Sequence, residues 1–142
     1  MLDEAAKQSR FMGTMRPVDD LALAEGAEAA FAFYEALQEA KIKSLYGVSL
    51  SRLEFSNNGR GYELMSAGEL DTAQELFKLN TMIAPESWNA WDSLAECYLN
   101  MKRYDLARQY YERSLELNGE NGNAKSMLER IEKELKKSRS SP

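Results

Sequence analysis

The sequence predicts an all-α protein made of helix–turn–helix repeats, with an N-terminal helical extension and a C-terminal capping helix. Three observations predict this class. Apolar residues recur at helical spacing in successive segments. The chain resembles itself when it is shifted so that position 54 falls on position 88. Only three prolines and eight glycines interrupt the chain, so long helices are possible.

Composition and charge restrict the classes of partner. The chain has 142 residues, room for one domain, and a net charge of −5. This charge argues against a general nucleic-acid binder, because such proteins neutralise phosphates with Lys and Arg. The residues from Ala124 onward are instead basic, which we interpret as a solvated helix terminus in preference to a docking feature. No apolar run of membrane-spanning length and no signal-peptide pattern occurs, so we expect a cytoplasmic protein with no membrane partner, unless the chain is a fragment.

The N-terminal third follows the repeat pattern only loosely. We expect residues 1–16 to be an arm or an extra helix, and residues 17–53 to be a helical region that forms a degenerate repeat. Asp19 and Asp20 are plausible helix-start residues after Pro17. A helix from Gly26 to Lys43 would place four residues on one side: Ala30, Phe31, Tyr34 and Leu37. An insertion within 45–51 would explain the longer offset to the next repeat.

Residues 54–87 and 88–121 are predicted to be two repeats that align without a gap. The alignment pairs residues of the same role: Gly61 with Ala95, Ala73 with Ala107, and Phe77 with Tyr111. The small residues allow two helices to approach closely, and the aromatic rings one turn further along fill the space between repeats. Intra-repeat turns are expected at Gly68 and at Lys102-Arg103, and Pro85 is expected to end a helix.

The second repeat has the more regular pattern. It matches the W-x2-L-G-x2-Y pattern of tetratricopeptide repeats through four residues: Trp91, Leu94, Ala95 and Tyr98. In the first repeat Arg60 occupies the core position of Leu94. Its stem either covers apolar surface while the guanidinium reaches water, or it pairs with a carboxylate of an earlier helix. Cys97 is interpreted as a small buried thiol.

After the second repeat, residues 122–137 are predicted to form the capping helix and residues 138–142 a disordered tail. One side of the helix continues the apolar stack with four residues: Ala124, Leu128, Ile131 and Leu135. Its other side is charged, as the end of a repeat array must be to stay in solution.

The residue types needed for catalysis are mostly missing. The chain has no histidine, which removes Ser-His-Asp and Cys-His mechanisms and imidazole metal sites, and it has no phosphate-binding glycine loop. Asp92 and Glu96 lie one turn apart and could act as an acid and base or hold a cation. We favour the interpretation that they form a polar groove wall. The sequence therefore predicts no enzyme, no cofactor and no metal site.

In this repeat class the first helix of each pair lines the concave surface, where a protein or peptide partner would bind. Phe55 is expected to face it, together with the candidate partner-binding residues Asn58, Tyr62, Met65, Asn89, Asp92, Glu96, Asn100, Ser126, Arg130 and Lys133. The alternative is that these are solvated polar residues. Chaperone-binding tetratricopeptide domains clamp a C-terminal carboxylate with Lys and Asn, whereas Asn58 and Asp92 stand at the matching positions here. This departure argues against capture of an acidic chaperone tail, and a basic or neutral partner fits Asp92 and Glu96 better.

A longer stretch of the chain resembles the tetratricopeptide tail of bacterial serine hydrolases, both β-lactamase-like enzymes and putative esterases. The matching residues are Phe77, Leu79, Asn80, Pro85, Ser87, Asn89, Asp92, Ser93, Leu94, Tyr111, Ser114, Leu115, Leu117 and Asn118. It departs from those tails at Arg60 and Gly119. The resemblance implies an alternative role as an accessory or dimerisation domain of a serine hydrolase, or as its partner. A homodimer would then form through an exposed aromatic helix, Ala29–Leu37.

Overall fold

A computed structural model describes residues 17–39 and 50–140, and these contain seven α-helices and no strand. The helices are α1 (Pro17–Glu25), α2 (Ala27–Glu39), α3 (Leu50–Ser66), α4 (Leu70–Ile83), α5 (Trp88–Asn100), α6 (Tyr104–Leu117) and α7 (Gly122–Ser140). Each helix packs on its neighbour in the chain from α3 onward, and α1 and α2 both pack on α4. This arrangement confirms the predicted all-α repeat architecture. The arm at 1–16 and most of the insertion within 45–51 lie outside the described residues.

The turns inside the two repeats are equivalent. Gly68 has φ 83° and Lys102 has φ 60°, so both positions adopt the left-handed conformation that closes a helix. The next amide in each turn bonds back to the last helical turn, Glu69 to the Leu64 carbonyl and Arg103 to the Tyr98 carbonyl, each at 2.9 Å. The predicted turn positions are therefore confirmed, although only the first repeat uses glycine there.

Close helix approach in the first repeat depends on Gly61. A Cβ atom added there would lie 2.6 Å from Cε1 of Phe77, which is far inside van der Waals contact. Ala73, Ala95 and Ala107 are also buried. The aromatic residues that follow the small positions, Phe77 and its equivalent in the second repeat, are buried as well. The small-residue prediction holds at every one of these positions.

The core divides into two clusters that meet at α4. The N-terminal cluster contains Leu21, Ala22, Ala27, Ala30, Phe33 and Tyr34, packed against Leu76, Leu79 and Ile83 of α4. The C-terminal cluster extends from Ala73 and Phe77 of α4 through α5 and α6 to Ala124 and Ile131 of α7. Since α2 contributes Phe33 and Tyr34 to the core, the expectation of an exposed aromatic helix is wrong for these residues.

Arg60 joins the first repeat to the N-terminal helices. Its Nη1 lies 3.0 Å from Asp19 Oδ2 and 2.8 Å from Asp20 Oδ1. Burial is the largest single influence on the pKa of the Arg60 guanidinium and lowers it. The two carboxylates together outweigh burial, so the pKa lies above its ordinary value. Glu75 of α4 makes a second link, because it accepts the Ala27 amide at 2.7 Å and so caps α2. Of the two interpretations open for Arg60, the structure selects pairing with an earlier helix.

The last helix is longer than expected, and the tryptophan of the repeat pattern is less buried than the core residues. The last helix continues to Ser140, beyond the expected start of a disordered tail at residue 138, while 141–142 are not described. Trp91 is only half-buried: its ring stacks on Tyr110 at 5.7 Å and its Nε1 donates to the Pro85 carbonyl at 2.8 Å. It therefore braces the inter-repeat turn and is not a central core residue.

Candidate partner-binding groove

Contacts between α3 and α5 bring four of the predicted binding residues together. Tyr62 Oη of α3 donates to Glu96 Oε2 of α5 at 2.7 Å. Asn100 Nδ2 of α5 lies 3.7 Å from Met65 Sδ of α3. We call this surface the α3–α5–α7 face, defined by the ten candidate residues named above, Asn58 to Lys133. The direct contacts between α3 and α5 confirm that the repeat brings candidate residues of these two helices together.

Asp92 links this face to α7, but not as a free binding residue. Its carboxylate is buried, with the residue 8% exposed, and accepts Asn121 Nδ2 at 2.6 Å and Asn123 Nδ2 at 2.9 Å. Asn121 Nδ2 also lies 2.9 Å from Ser114 Oγ of α6. The carboxylate therefore fixes the turn between α6 and α7. The expectation that Asp92 is a groove-wall residue open to a partner is wrong.

Glu96 is half-buried and has a defined partner. Tyr62 donates to it, and Tyr62 Oη also lies 3.2 Å from Ser93 Oγ. The Tyr62 ring meets Phe77 edge-on at 5.2 Å. Burial raises the pKa of Tyr62 above its ordinary value, so the hydroxyl keeps its proton and remains a donor. With both carboxylates held by hydrogen bonds, the geometry does not resemble a working acid–base pair.

Several of the candidate positions on the face are exposed. They are Asn89, Asn100, Ser126, Arg130 and Lys133. Phe55 of α3 is 83% exposed, and Trp88 of α5 is 40% exposed. The start of α3 meets the start of α5 here, because Ser87 Oγ donates to Glu54 Oε1. An exposed aromatic edge therefore borders the polar surface.

Charge is unevenly distributed along this face. Helices α3 and α5 together contain four acidic and two basic residues, whereas α7 contains three acidic and six basic residues. Arg60, one of the two basic residues, is engaged by Asp19 and Asp20. The α3 and α5 part is thus acidic and the α7 part is basic, as the composition of the C-terminal segment indicates.

Sequence reasoning placed the Tyr111 ring between the repeats but missed its buried hydroxyl. Tyr111 is 0% exposed, and its hydroxyl oxygen has no hydrogen-bond partner among the described residues. Burial, first, and then the Asp92 and Glu96 carboxylates raise the pKa of this hydroxyl. The signal available in the sequence was the repeat alignment itself, where Tyr111 stands opposite Phe77 and adds one polar atom to an apolar position.

Chemical reactivity elsewhere is limited. Cys97 is buried, as expected, and its Sγ lies 3.5 Å from the Leu70 carbonyl. Burial raises the pKa of its thiol to about 11. Within 17–39 and 50–140, no group of three or more ligating side chains could hold a metal ion. None of the helices in those ranges is long and apolar enough to cross a membrane.

Comparison with known proteins identifies the repeat. Residues 88–121 match the family model described as Tetratricopeptide repeat, and this is the second repeat predicted above. No curated protein matches the chain. A solved structure described as the first TPR of Spaghetti (RPAP3), bound to the HSP90 peptide SRMEEVD, aligns with a TM-score of 0.56 and 16% identity. The alignment covers 91% of this chain and 94% of that one. At this identity the likeness shows the fold alone. The chain therefore folds as a tetratricopeptide-type array of helical repeats, in which residues 88–121 are the repeat that matches the family model.

Proposed function

We propose that this chain is a non-catalytic interaction module that binds a peptide or protein segment on the α3–α5–α7 face. The observation that carries the proposal is the direct contact between α3 and α5 on that face. Side chains of α3 and α5 touch directly, yet Asn89, Asn100 and Ser126 remain exposed. Exposed amide and hydroxyl groups can hydrogen-bond the backbone of an extended segment. The peptide bound in the Spaghetti structure supports this mode at the level of the fold.

The charges of the face favour a segment that is basic or neutral where it meets α3 and α5. The HSP90 peptide of the similar structure, SRMEEVD, carries three acidic residues. Helix α5 has no basic residue and presents Glu96, so an acidic tail would meet like charge there. Arg130 and Lys133 lie only on α7 and would favour an acidic group at that end. The partner that fits best therefore places its basic part over α5.

A peptide-display library screened against the immobilised protein tests this proposal. We expect selected peptides to bind an Asn100→Lys variant about tenfold more weakly. The substitution removes one contact and places a positive charge opposite the basic part of the peptide. The matched control is Gln109→Lys, which makes the same change at an exposed position of α6. Equal affinity for both variants would place the binding surface elsewhere. Recovery of no binding peptide would count against a peptide-binding role.

The alternative role is an accessory or dimerisation domain of a serine hydrolase. Its support is the sequence resemblance alone. The aromatic helix assigned to dimerisation contributes Phe33 and Tyr34 to the core, which leaves Phe31, itself half-buried, as its aromatic contact. Light scattering discriminates between the two roles, because a mass that stays monomeric at high protein concentration would remove the homodimer.

A further inference from the structure

The charges of the α3–α5–α7 face follow a definite order. Helix α5 lies between the other two helices and contains two acidic residues and no basic one. On α7 the exposed Arg130 and Lys133 form no ion pair with any residue in the ranges 17–39 and 50–140. On α3 the face has the exposed ring of Phe55. A segment that complements this face is basic and aromatic over α3 and α5 and acidic over α7.

The N-terminal arm, residues 1–16, has this order of charge in its own sequence. Residues 7–16 contain three basic residues and no acidic one, and Phe11 is among them. Residues 1–6 contain two acidic residues, Asp3 and Glu4, and no basic one. Counted back from Pro17, the arm is therefore first basic and aromatic and then acidic. The complementary order is met on the face from α3 through α5 to α7.

The arm joins the described structure beside α3. Asp19 and Asp20, in the first turn of α1, bond Arg60 of α3 at 3.0 and 2.8 Å. Packed helices lie about 8–10 Å apart, so about 30 Å separates the start of α1 from α7. At about 3.3 Å per residue, the arm can extend Phe11 about 20 Å from the start of α1 and Glu4 about 43 Å. The basic part of the arm can therefore reach α5, and its acidic part can reach α7.

We propose that residues 1–16 bind the α3–α5–α7 face of their own chain, so that a partner segment must displace them. The inference rests on the proposed function and adds a regulatory element to it. A short tether gives the arm an effective concentration in the millimolar range. An intrinsic dissociation constant of about 0.1 mM then leaves the face open in about a tenth of the molecules. The apparent affinity for a partner falls about tenfold as a result.

Isothermal titration of the display-selected peptides tests the displacement in the full chain. The native protein is compared with an arm variant that carries Lys7→Glu and Arg10→Glu. We expect the peptides to bind the arm variant about tenfold more tightly, because the reversed charges repel α5 and open the face. The matched control carries Lys125→Glu and Arg139→Glu, the same charge change at exposed positions outside the face, and should bind with near-native affinity. Equal affinity for the native protein and the arm variant would overturn the inference and leave the binding role standing.

A spin label on the arm tests the contact itself without any peptide. The label is attached at Met12→Cys, since the buried Cys97, with a thiol pKa of about 11, reacts slowly. We expect the label to broaden the backbone NMR signals of Asn100 and Arg130, and the two substitutions of the arm variant to restore them. Broadening confined to α1 would overturn the inference, whether or not a peptide binds. If peptides bind neither the native protein nor the arm variant, the proposed function fails and the displacement fails with it.

Discussion

The two repeats, predicted at residues 54–87 and 88–121, share one backbone plan and differ in the side chains that complete it. In each repeat a polar side chain near the end of the second helix bonds the first carbonyl of the repeat. Asn80 Nδ2 donates to the Glu54 carbonyl, and Ser114 Oγ donates to the Trp88 carbonyl, both at 2.9 Å. An amide and a hydroxyl thus make the same contact. The comparison teaches that the repeat position determines the geometry, while the residue type can vary.

The first repeat departs from the common pattern where it meets other elements. Arg60 stands where the second repeat has Leu94, and it bonds the acidic start of α1. Asn57 stands where the second repeat has Trp91, and its amide donates to Asn80 Oδ1 at 3.0 Å inside the core. The first repeat is therefore adapted to α1 and α2, whereas the second follows the general pattern. This difference is a physical reason why the family model matches residues 88–121.

The largest effect is expected at the junction of the two repeats. Phe77 is fully buried, between Gly61 and Tyr62 of its own repeat and the cluster that extends into the next. We expect Phe77→Ala to lower the free energy of unfolding by about 3–5 kcal/mol, as measured by urea denaturation. Phe55→Ala is the control, since Phe55 is 83% exposed and its loss should cost about 0.5 kcal/mol or less. A similar decrease in the free energy of unfolding for both variants would mean that the repeats do not share a core.

Thiol labelling can compare the solvent exposure of two equivalent positions, 63 in the first repeat and 97 in the second. Glu63 is exposed in the first repeat, whereas Cys97 is buried against α4 in the second. Because burial raises the pKa of Cys97 to about 11, little thiolate is present at neutral pH. We expect native Cys97 to react with a thiol reagent at least about a hundredfold more slowly than a Glu63→Cys, Cys97→Ser variant. Equal rates would show that the two positions have equivalent surroundings.

Replacing Arg60 with leucine, the residue at the equivalent position of the second repeat, should weaken the packing of the first repeat on α1. Arg60→Leu removes two charge-assisted hydrogen bonds and leaves Asp19 buried beside an apolar side chain. We expect a loss of about 2 kcal/mol in the free energy of unfolding. The loss should be smaller in an Asp19→Asn, Asp20→Asn background, which a double-mutant cycle measures. A stabilised Arg60→Leu protein would contradict the docking role of the guanidinium.

The smallest effect concerns the turns. Lys102 adopts φ 60°, the conformation that glycine occupies at the equivalent position Gly68. We expect Lys102→Gly to raise the free energy of unfolding by about 0.5–1 kcal/mol, because a side chain is strained in the left-handed region. Gly68→Lys should lower it by a similar amount. Denaturation curves that show no change in either variant would mean that these turns carry no such strain.

Some features of the α3–α5–α7 face follow from the repeat and some do not. The positions that face outward from α3, α5 and α7 could be predicted because each helix presents the same positions to the same side. Which of those side chains remain free could not be predicted. Asp92 is held by Asn121 and Asn123, and the hydroxyl of Tyr111 is enclosed beneath the face. Both facts depend on groups from three different helices and the turn between two of them.

The sequence by itself determined the helical class, the repeat at 88–121, the close-approach positions and the turns. These are local features that recur at one period, so each repeat predicts the other. The tertiary structure alone decided that Arg60 pairs with α1, that Phe33 and Tyr34 join the core, and that Asp92 is buried. The physical reason is that burial and pairing depend on residues distant in the chain, and a repeat pattern contains no information about contacts that occur only once.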